Sequence, residues 1–369
     1  MPNEKKKEKQ SQKVIFMAQR KNKIKLGKRL VGEGKPIFII LEGGVTNYGK
    51  LTLAKKQADA AVRAKANAVK FQAWKTENLV SKKASQDLVG ELGYDWFKRM
   101  KGREMSFQNL RKLKRYCAKK NITFFATPHD EESLDFLAKE LKVPFLKVGS
   151  GESNNYDFLK KVGKKKKPVI ISFGLQSDKE AKKAVQTLFK SGAAGVVALH
   201  CTTIYPTPYE MVDLSRIQRL RKLLKIPVGI SDHSVGWHIP LAAASLGALV
   251  IEKHLTFDKA DPRSLDNPGA LLPKEFKKMV SQIRELEKAK KPIPERKLAL
   301  ALQKSRDWAI QSIVAARDIA PGTIITRKMI TFKRPGKGGI PPKNIGLVLG
   351  KKTKAFIEED KQISLEYLE

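Results

Sequence analysis

The chain has 369 residues, 41% of them hydrophobic, and 74 lysines and arginines stand against 37 acidic residues for a formal net charge of +37. That length exceeds one ordinary domain and leaves room for a barrel of roughly 250 residues with a smaller companion. Cys117 and Cys201 form neither a CxxC pair nor a metal-binding spacing, which excludes a disulfide scaffold and fits a reducing compartment. The lysines are spread through the chain without interleaved aromatics, so they are expected to form a charged, solvated surface. Such a field steers anionic substrates and allows nonspecific nucleic-acid binding.

The start, MPNEKKKEKQSQK, is basic but has no apolar stretch after it and is not read as a secretory signal. Residues 1–12 are expected to be disordered. No apolar run approaches the roughly 20 residues that cross a bilayer, so a cytoplasmic protein without membrane contact is expected. Residues 13–32 carry two short apolar stretches around a basic turn, which suggests a small hairpin.

From Pro36 a rhythm of short apolar runs begins, at 36–41, 68–72, 122–126, 144–148, 168–172, 195–200, 227–231 and 248–253. Amphipathic segments lie between them, among them 51–65, 107–120, 131–140, 178–191, 209–224 and 237–246. Near-continuous apolar strands separated by helices imply a parallel sheet covered on both faces. Eight in series make this an α/β chain with a closed (β/α)₈ TIM barrel. A helix over 273–288, with Pro273 in its first turn, completes a barrel domain spanning 13–288. Residues 289–305, with Pro292 and Pro294, read as a linker. Residues 306–369 hold short β-like runs and Pro-Gly turns, and predict a small, mostly β domain.

In such barrels the C-terminal strand ends build the active site. Those ends carry Glu42, Lys70 and Gln72, Thr127, Lys147 with Ser150 and Glu152, Ser172, His200 with Thr202, Thr203 and Tyr205, Ser231-Asp232-His233, and Glu252-Lys253-His254. A buried lysine is costly unless paired, so Lys70 and Lys147 within apolar strands ask for an anion. The hydroxyls of Thr127, Ser150, Ser172 and Ser231 and the Gly149–Gly151 backbone can hydrogen-bond phosphate oxygens. His233 and His254 fall on adjacent strands and can share a divalent ion with Glu42 opposite, leaving positions for water and substrate. Asp232 is a candidate support for His233. His129, His200 and His238 are expected to be structural.

At this point the chain resembles the sialic acid synthase family, the phosphoenolpyruvate-dependent synthases of N-acetylneuraminic, legionaminic and pseudaminic acids. The matching stretches include AVKFQ (68–72), FFATPHDEESLDFL (124–137), FLKVGSGESNNY (145–156), LHCTTIYPTPYE (199–210), GISDHS (229–234) and EKHLTFD (252–258). Residues 306–342 resemble that family's antifreeze-like (SAF) domain. The resemblance implies that Lys70, Thr127, Lys147, Ser150, Ser172 and Ser231 contact phosphoenolpyruvate. It implies that His233 and His254 ligate a divalent metal, Mn²⁺, with Glu42 close to it and to the reacting aldehyde. Gln72, Glu152, Tyr205 and Asp266 then match the positions that hold the acylated sugar. Arg334, in KRPG, would complete the neighbouring subunit's site in a homodimer with swapped C-terminal domains. The first loop, GVTNYG (44–49), departs from the family's usual GINHNG. The implied reaction condenses phosphoenolpyruvate with an N-acylated hexosamine such as N-acetylmannosamine, giving a nine-carbon 2-keto-3-deoxy sugar acid and phosphate. A 6-phosphorylated or otherwise acylated acceptor, or a non-catalytic anion- or nucleic-acid-binding barrel, are the alternatives.

Overall fold

The computed structural model describes residues 23–369. The disordered stretch expected over 1–12, and the part of the hairpin expected over 13–22, lie outside the described residues. The hairpin's remainder is present: β1 (Lys23–Leu26) pairs antiparallel with β2 (Arg29–Gly32).

The apolar runs become eight parallel strands: β3 (Phe38–Glu42), β4 (Ala68–Ala73), β5 (Thr123–Pro128), β6 (Leu146–Val148), β7 (Pro168–Phe173), β8 (Gly195–Cys201), β9 (Val228–Asp232) and β10 (Val250–His254). They hydrogen-bond in the order β5-β4-β3-β10-β9-β8-β7-β6, so the last strand returns to pair with the first, from Val250 opposite Phe38 to His254 opposite Glu42. At the seam between β5 and β6, Phe145 packs on Phe125 with ring centroids 4.5 Å apart and meets Phe38 edge-on at 6.0 Å. The TIM-type barrel expected from the sequence is the fold observed.

Each connecting helix buries one stripe against the strands. Phe107–Lys119 starts at Ser106, whose side chain accepts from the Asn109 N–H, and turns Leu110, Leu113 and Cys117 inward at helical spacing. Burial there pushes the Cys117 thiol up to about 12, so this cysteine is a packing residue. Asp178–Lys190 begins with a capping box between Ser177 and Glu180. Between β4 and the helix at Phe107, where the sequence suggested no element, lie four short helices: Thr76–Leu79, Lys82–Asp87, Val89–Leu92 and Trp96–Lys101. Each is too short to show an amphipathic period, but Ser81 and Asp95 cap two of them. No described helix is long and apolar enough to cross a membrane.

The chain divides into two compact units between Lys290 and Lys291. The second begins in the stretch expected as a linker, which carries the short helices Glu295–Ala301 and Gln303–Ala309. Its core gathers Ile313, Ile319, Ile325, Ile330, Ile357 and Ile363. Only β11 (Ser312–Ala315) and β12 (Ile330–Lys333) pair as a ladder there; the other β-like runs meet through single bridges such as Ile319 with Ile357.

Candidate active site

Side chains alternate across a strand, so parallel register decides which polar groups share the barrel interior. Glu42 lies opposite Lys70, and Gln72 opposite Thr127. Glu252 lies opposite Ser231, and His254 opposite Glu42. These positions, with Lys147 and Ser172, converge at the C-terminal mouth. His200, Asp232 and Lys253 have the opposite parity and point between strands and helices. His200 hydrogen-bonds the Val212 carbonyl. Asp232 takes the Lys253 ammonium at 2.6 Å and the Ser234 hydroxyl at 2.8 Å, so it does not support His233.

The interior holds two ammonium groups and two carboxylates, all almost fully buried. Lys70 Nζ donates to Glu252 Oε1 at 2.9 Å and sits 3.3 Å from Glu42 Oε2. Lys147 Nζ lies 3.6 Å from the same Glu252 oxygen and donates to Ser172 Oγ at 2.7 Å. The Ser231 hydroxyl also donates to Glu252, at 2.9 Å. Four of the phosphate-side residues named from the sequence, Lys70, Lys147, Ser172 and Ser231, therefore form one network. Its centre is Glu252, to which sequence reasoning gave no role. The signal was available: Glu252 stands two positions before His254 and shares its face.

The electrostatics of the four charges diverge. Burial pushes Glu42 up to about 7, with Lys70 opposing and Glu252 adding repulsion. Burial also acts on Glu252, but Lys147 and Lys70 overcome it and hold this carboxylate at about 2. Against its own burial, Lys70 is raised by Glu252 and Glu42. Lys147 has weaker compensation, and burial brings its ammonium down to about 8. An arriving anion finds one lysine firmly charged and one poised.

Ser150 uses its hydroxyl to accept from the Gly174 N–H at 2.9 Å, at the end of β7. A Cβ at Gly174 would stand 2.1 Å from Thr203 Oγ1 and 3.0 Å from Ser150 Oγ, so only glycine fits beside this wall. Thr127 is buried beside Gln72.

His233 and His254 come together, with ring centroids 5.2 Å apart. His233 Nδ1 lies 3.0 Å from the Thr202 carbonyl oxygen, a contact that an N–H satisfies, which leaves Nε2 bare in the neutral ring. Burial drives His254 down to about 4, so its imidazole is neutral, the form that binds metals. Its Nδ1 is buried without a hydrogen-bond partner among the described residues and lies 3.5 Å from the Asp266 carboxylate. Burial opposes the charge on His233, but the Cys201 thiol and the Thr202 carbonyl beside it raise its pKa, so of the pair His254, with its unsatisfied nitrogen, is the ring in the form that a divalent cation takes. The three-residue set with Glu42 does not form. Among the described residues no three His, Cys, Asp or Glu side chains make a metal-holding group. Gln72 donates to Glu42 Oε1 at 3.4 Å, while Glu42 Oε2 lies 3.3 Å from Lys70 Nζ and is buried without a hydrogen-bond partner among the described residues.

The residues assigned to the sugar fall into two groups. Tyr205 covers the His233 ring at 4.3 Å and, with Gln72 and Asp266, lines a cavity of about 210 Å³. Glu152 is instead paired with His129 Nδ1 at 2.8 Å, so His129 orients this carboxylate. Arg334 belongs to the second unit, where its guanidinium lies 6.0 Å from the Trp308 ring centroid. The far wall of the cavity holds Trp96, Arg99 and Arg103, none of them anticipated, because they ride on the short helices after β4 and the turn that follows.

A buried network of lysines, carboxylates and hydroxyls beside two imidazoles stands at the C-terminal mouth of a TIM barrel, the end at which enzymes of this fold carry their active sites. The comparisons with known proteins make this specific. The NeuB family model matches residues 58–293 and the SAF domain model residues 310–369. The chain is 39% identical to an N,N'-diacetyllegionaminic acid synthase of Campylobacter jejuni, covering 82% of this chain and 92% of that one. It is 36% identical to the human N-acetylneuraminate-9-phosphate synthase, covering 92% and 95%. The crystal structure of an N-acetylneuraminic acid synthetase from Leptospira borgpetersenii superposes with a TM-score of 0.68 at 34% identity, over 77% of this chain and 96% of that one. The chain belongs to the NeuB family, and it is a sialic-acid-synthase-family enzyme with a C-terminal SAF domain.

Proposed function

We propose that the protein condenses phosphoenolpyruvate with the open-chain aldehyde of an N-acylated hexosamine, such as N-acetylmannosamine, to give a nine-carbon 2-keto-3-deoxy sugar acid and phosphate. The observation that carries this reading is the buried Lys70–Glu252–Lys147 network with its hydroxyls, an anion cradle set next to the histidine pair.

Lys70, Lys147, Ser172 and Ser231 hold the phosphate and carboxylate of phosphoenolpyruvate, while the Ser150–Gly174 wall fixes its plane. Its C3 attacks the aldehyde carbon, forming the new C–C bond; water adds at C2, and the C2–O bond to phosphate breaks. The water gives up both its protons, one to the aldehyde oxygen and one to the departing phosphate, and its oxygen becomes the C2 carbonyl. Glu42, held near 7, can carry a proton at neutral pH beside both events. When bound by His233 and His254, a divalent ion, Mn²⁺ in this reading, supplies Lewis-acid polarisation of the aldehyde. Gln72, Tyr205 and Asp266 orient the sugar against it. In the same reading the protein is a cytoplasmic homodimer, and Arg334 serves the partner subunit's site.

The test is release of phosphate from phosphoenolpyruvate with Mn²⁺ and a panel of N-acylated hexosamines, the product being identified by mass. Turnover with at least one sugar is expected. No phosphate release with any of them, from folded protein, overturns the reading.

A further inference from the structure

Lys253 is wholly buried, more deeply than Lys70 and Lys147, yet it faces away from the barrel interior and takes no part in the chemistry above. Its Nζ donates to Asp232 Oδ2 at 2.6 Å and to the Ser234 carbonyl oxygen. The Asp232 carboxylate in turn accepts from the Ser234 backbone N–H at 3.2 Å and from the Ser234 hydroxyl at 2.8 Å. Each of these bonds lands on residue 232 or 234, the two neighbours of His233. Lys253 itself is the neighbour of His254, and it lies in register with Asp232 across the β9–β10 ladder. From the other side the Thr207 N–H donates to the His233 carbonyl at 3.1 Å. Gly269 packs so closely there that a Cβ on it would stand 2.4 Å from the same oxygen.

An ion pair this deep is a poor source of stability. Desolvating both groups costs about as much as their attraction returns, and well-packed apolar residues of similar volume often do as well or better. What the pair supplies is geometry. One ammonium ties the end of β9 to the end of β10 at the level where each strand carries an imidazole, the two rings lying 5.2 Å apart. Side chains that share one ion must be held to within about 0.5 Å of the productive arrangement. His254 Nδ1 has no hydrogen-bond partner among the described residues, so placement of that ring falls to packing and to the backbone beneath it.

We infer that Lys253 and Asp232 are positioning residues for the histidine pair: they touch neither imidazole, and through the backbone they set the separation at which His233 and His254 share a divalent ion. This rests on the metal reading above and adds to it two residues that meet no substrate.

In the experiment, Mn²⁺ alone is titrated by calorimetry into the full-length protein and into K253M, D232N and the double variant D232N/K253M. Inorganic phosphate, whose cradle at Lys70 and Lys147 lies on the opposite face of the sheet, is titrated as the control. All titrations are made well below the lowest Tm of the set, so that affinity is read on folded protein. Each single variant leaves one buried charge unpaired and should lower Tm, whereas the double variant removes both charges and should regain most of that loss. Mn²⁺ affinity is expected to fall about tenfold or more in all three, while phosphate binds as in the parent. The double variant separates positioning from stability. A pair needed only for folding would leave Mn²⁺ affinity at the parent's value there, and that result overturns the inference. So does a loss of phosphate affinity as large as the loss for Mn²⁺, which marks a general distortion of the barrel mouth. A parent that binds no Mn²⁺ is a failure of the metal reading itself, and the inference falls with it.

Discussion

Glu252 is the residue on which the interior charges balance, and its isosteric replacement by glutamine tests the whole arrangement. The substitution removes one negative charge from between two ammonium groups and keeps an oxygen that can accept from Ser231 and Lys70. Deleting one partner of a buried ion pair typically costs about 3–5 kcal/mol, because the remaining charge stays desolvated. Here the lower end applies. The hydrogen bonds survive, and Lys147, already at about 8, can shed its proton. A loss of about 3 kcal/mol lowers Tm by roughly 6–12 °C in a domain of this size. An anion reverses the deficit, since it replaces the missing countercharge. Inorganic phosphate should therefore bind the variant more tightly than the parent, and every 1.4 kcal/mol recovered is about tenfold in Kd. The assay is thermal unfolding of parent and variant over a phosphate titration, with calorimetry for Kd. A Tm within about 2 °C of the parent's, or equal stabilisation of the two proteins by phosphate, would refute the assignment of Glu252 as the lysines' counterion.

Lys147→Ala should abolish measurable phosphoenolpyruvate binding by calorimetry while the far-UV spectrum stays native, since it removes a buried cation and leaves Glu252 paired with Lys70; unchanged affinity would displace Lys147 from the anion site. Phosphoenolpyruvate affinity should fall as pH rises through about 8, where Lys147 loses its proton, with proton uptake accompanying binding above that point. The ligand's phosphate is fully ionised there, its second ionisation lying near pH 6, so a flat affinity from pH 7.5 to 9.5 would contradict the assignment. His254→Ala should lower bound manganese, read by metal analysis after dialysis, at least tenfold; equal metal content in variant and parent would remove the histidine pair as the metal site.

How much of this was legible in the sequence follows from periodicity. The eight strands were readable because both their faces are buried, so Phe38–Glu42 or Val250–His254 appear as near-continuous apolar runs ending in polar groups. The lysines stood out because a charge inside such a run is anomalous. Glu252 was harder to place, because Glu252-Lys253-His254 offers three polar neighbours and only alternation separates them. Two face the interior, while Lys253 turns to Asp232 behind the sheet. The alternation that placed His233 and His254 together also shows why Asp232 serves Lys253 rather than His233. Trp96, Arg99 and Arg103 were invisible for a different reason. Trp96 and Arg99 share a helix of six residues and Arg103 lies on the turn after it, so no repeat announces them. This wall of the cavity beside Gln72, Tyr205 and Asp266 is carried by the segment with the weakest local signal.

The distribution of polarity along the barrel axis ties fold to chemistry. On the interior face of β10 the side chains run Val250, Glu252, His254; on β3, Phe38, Ile40, Glu42; on β7, Ile170, Ser172. Apolar layers at the N-terminal side give way to a single charged layer where the strands end. A barrel seeking only stability would continue the branched hydrophobes upward, because replacing a buried ion network with well-packed apolar residues is often neutral or stabilising. The charged layer is therefore confined to the one level that substrates can reach from the loops. It also explains why the site tolerates two lysines below the surface at all. Each is compensated by a carboxylate. Glu252 remains ionised at neutral pH, whereas Glu42, near 7, can take up a proton and leave the cradle net positive when the anion enters.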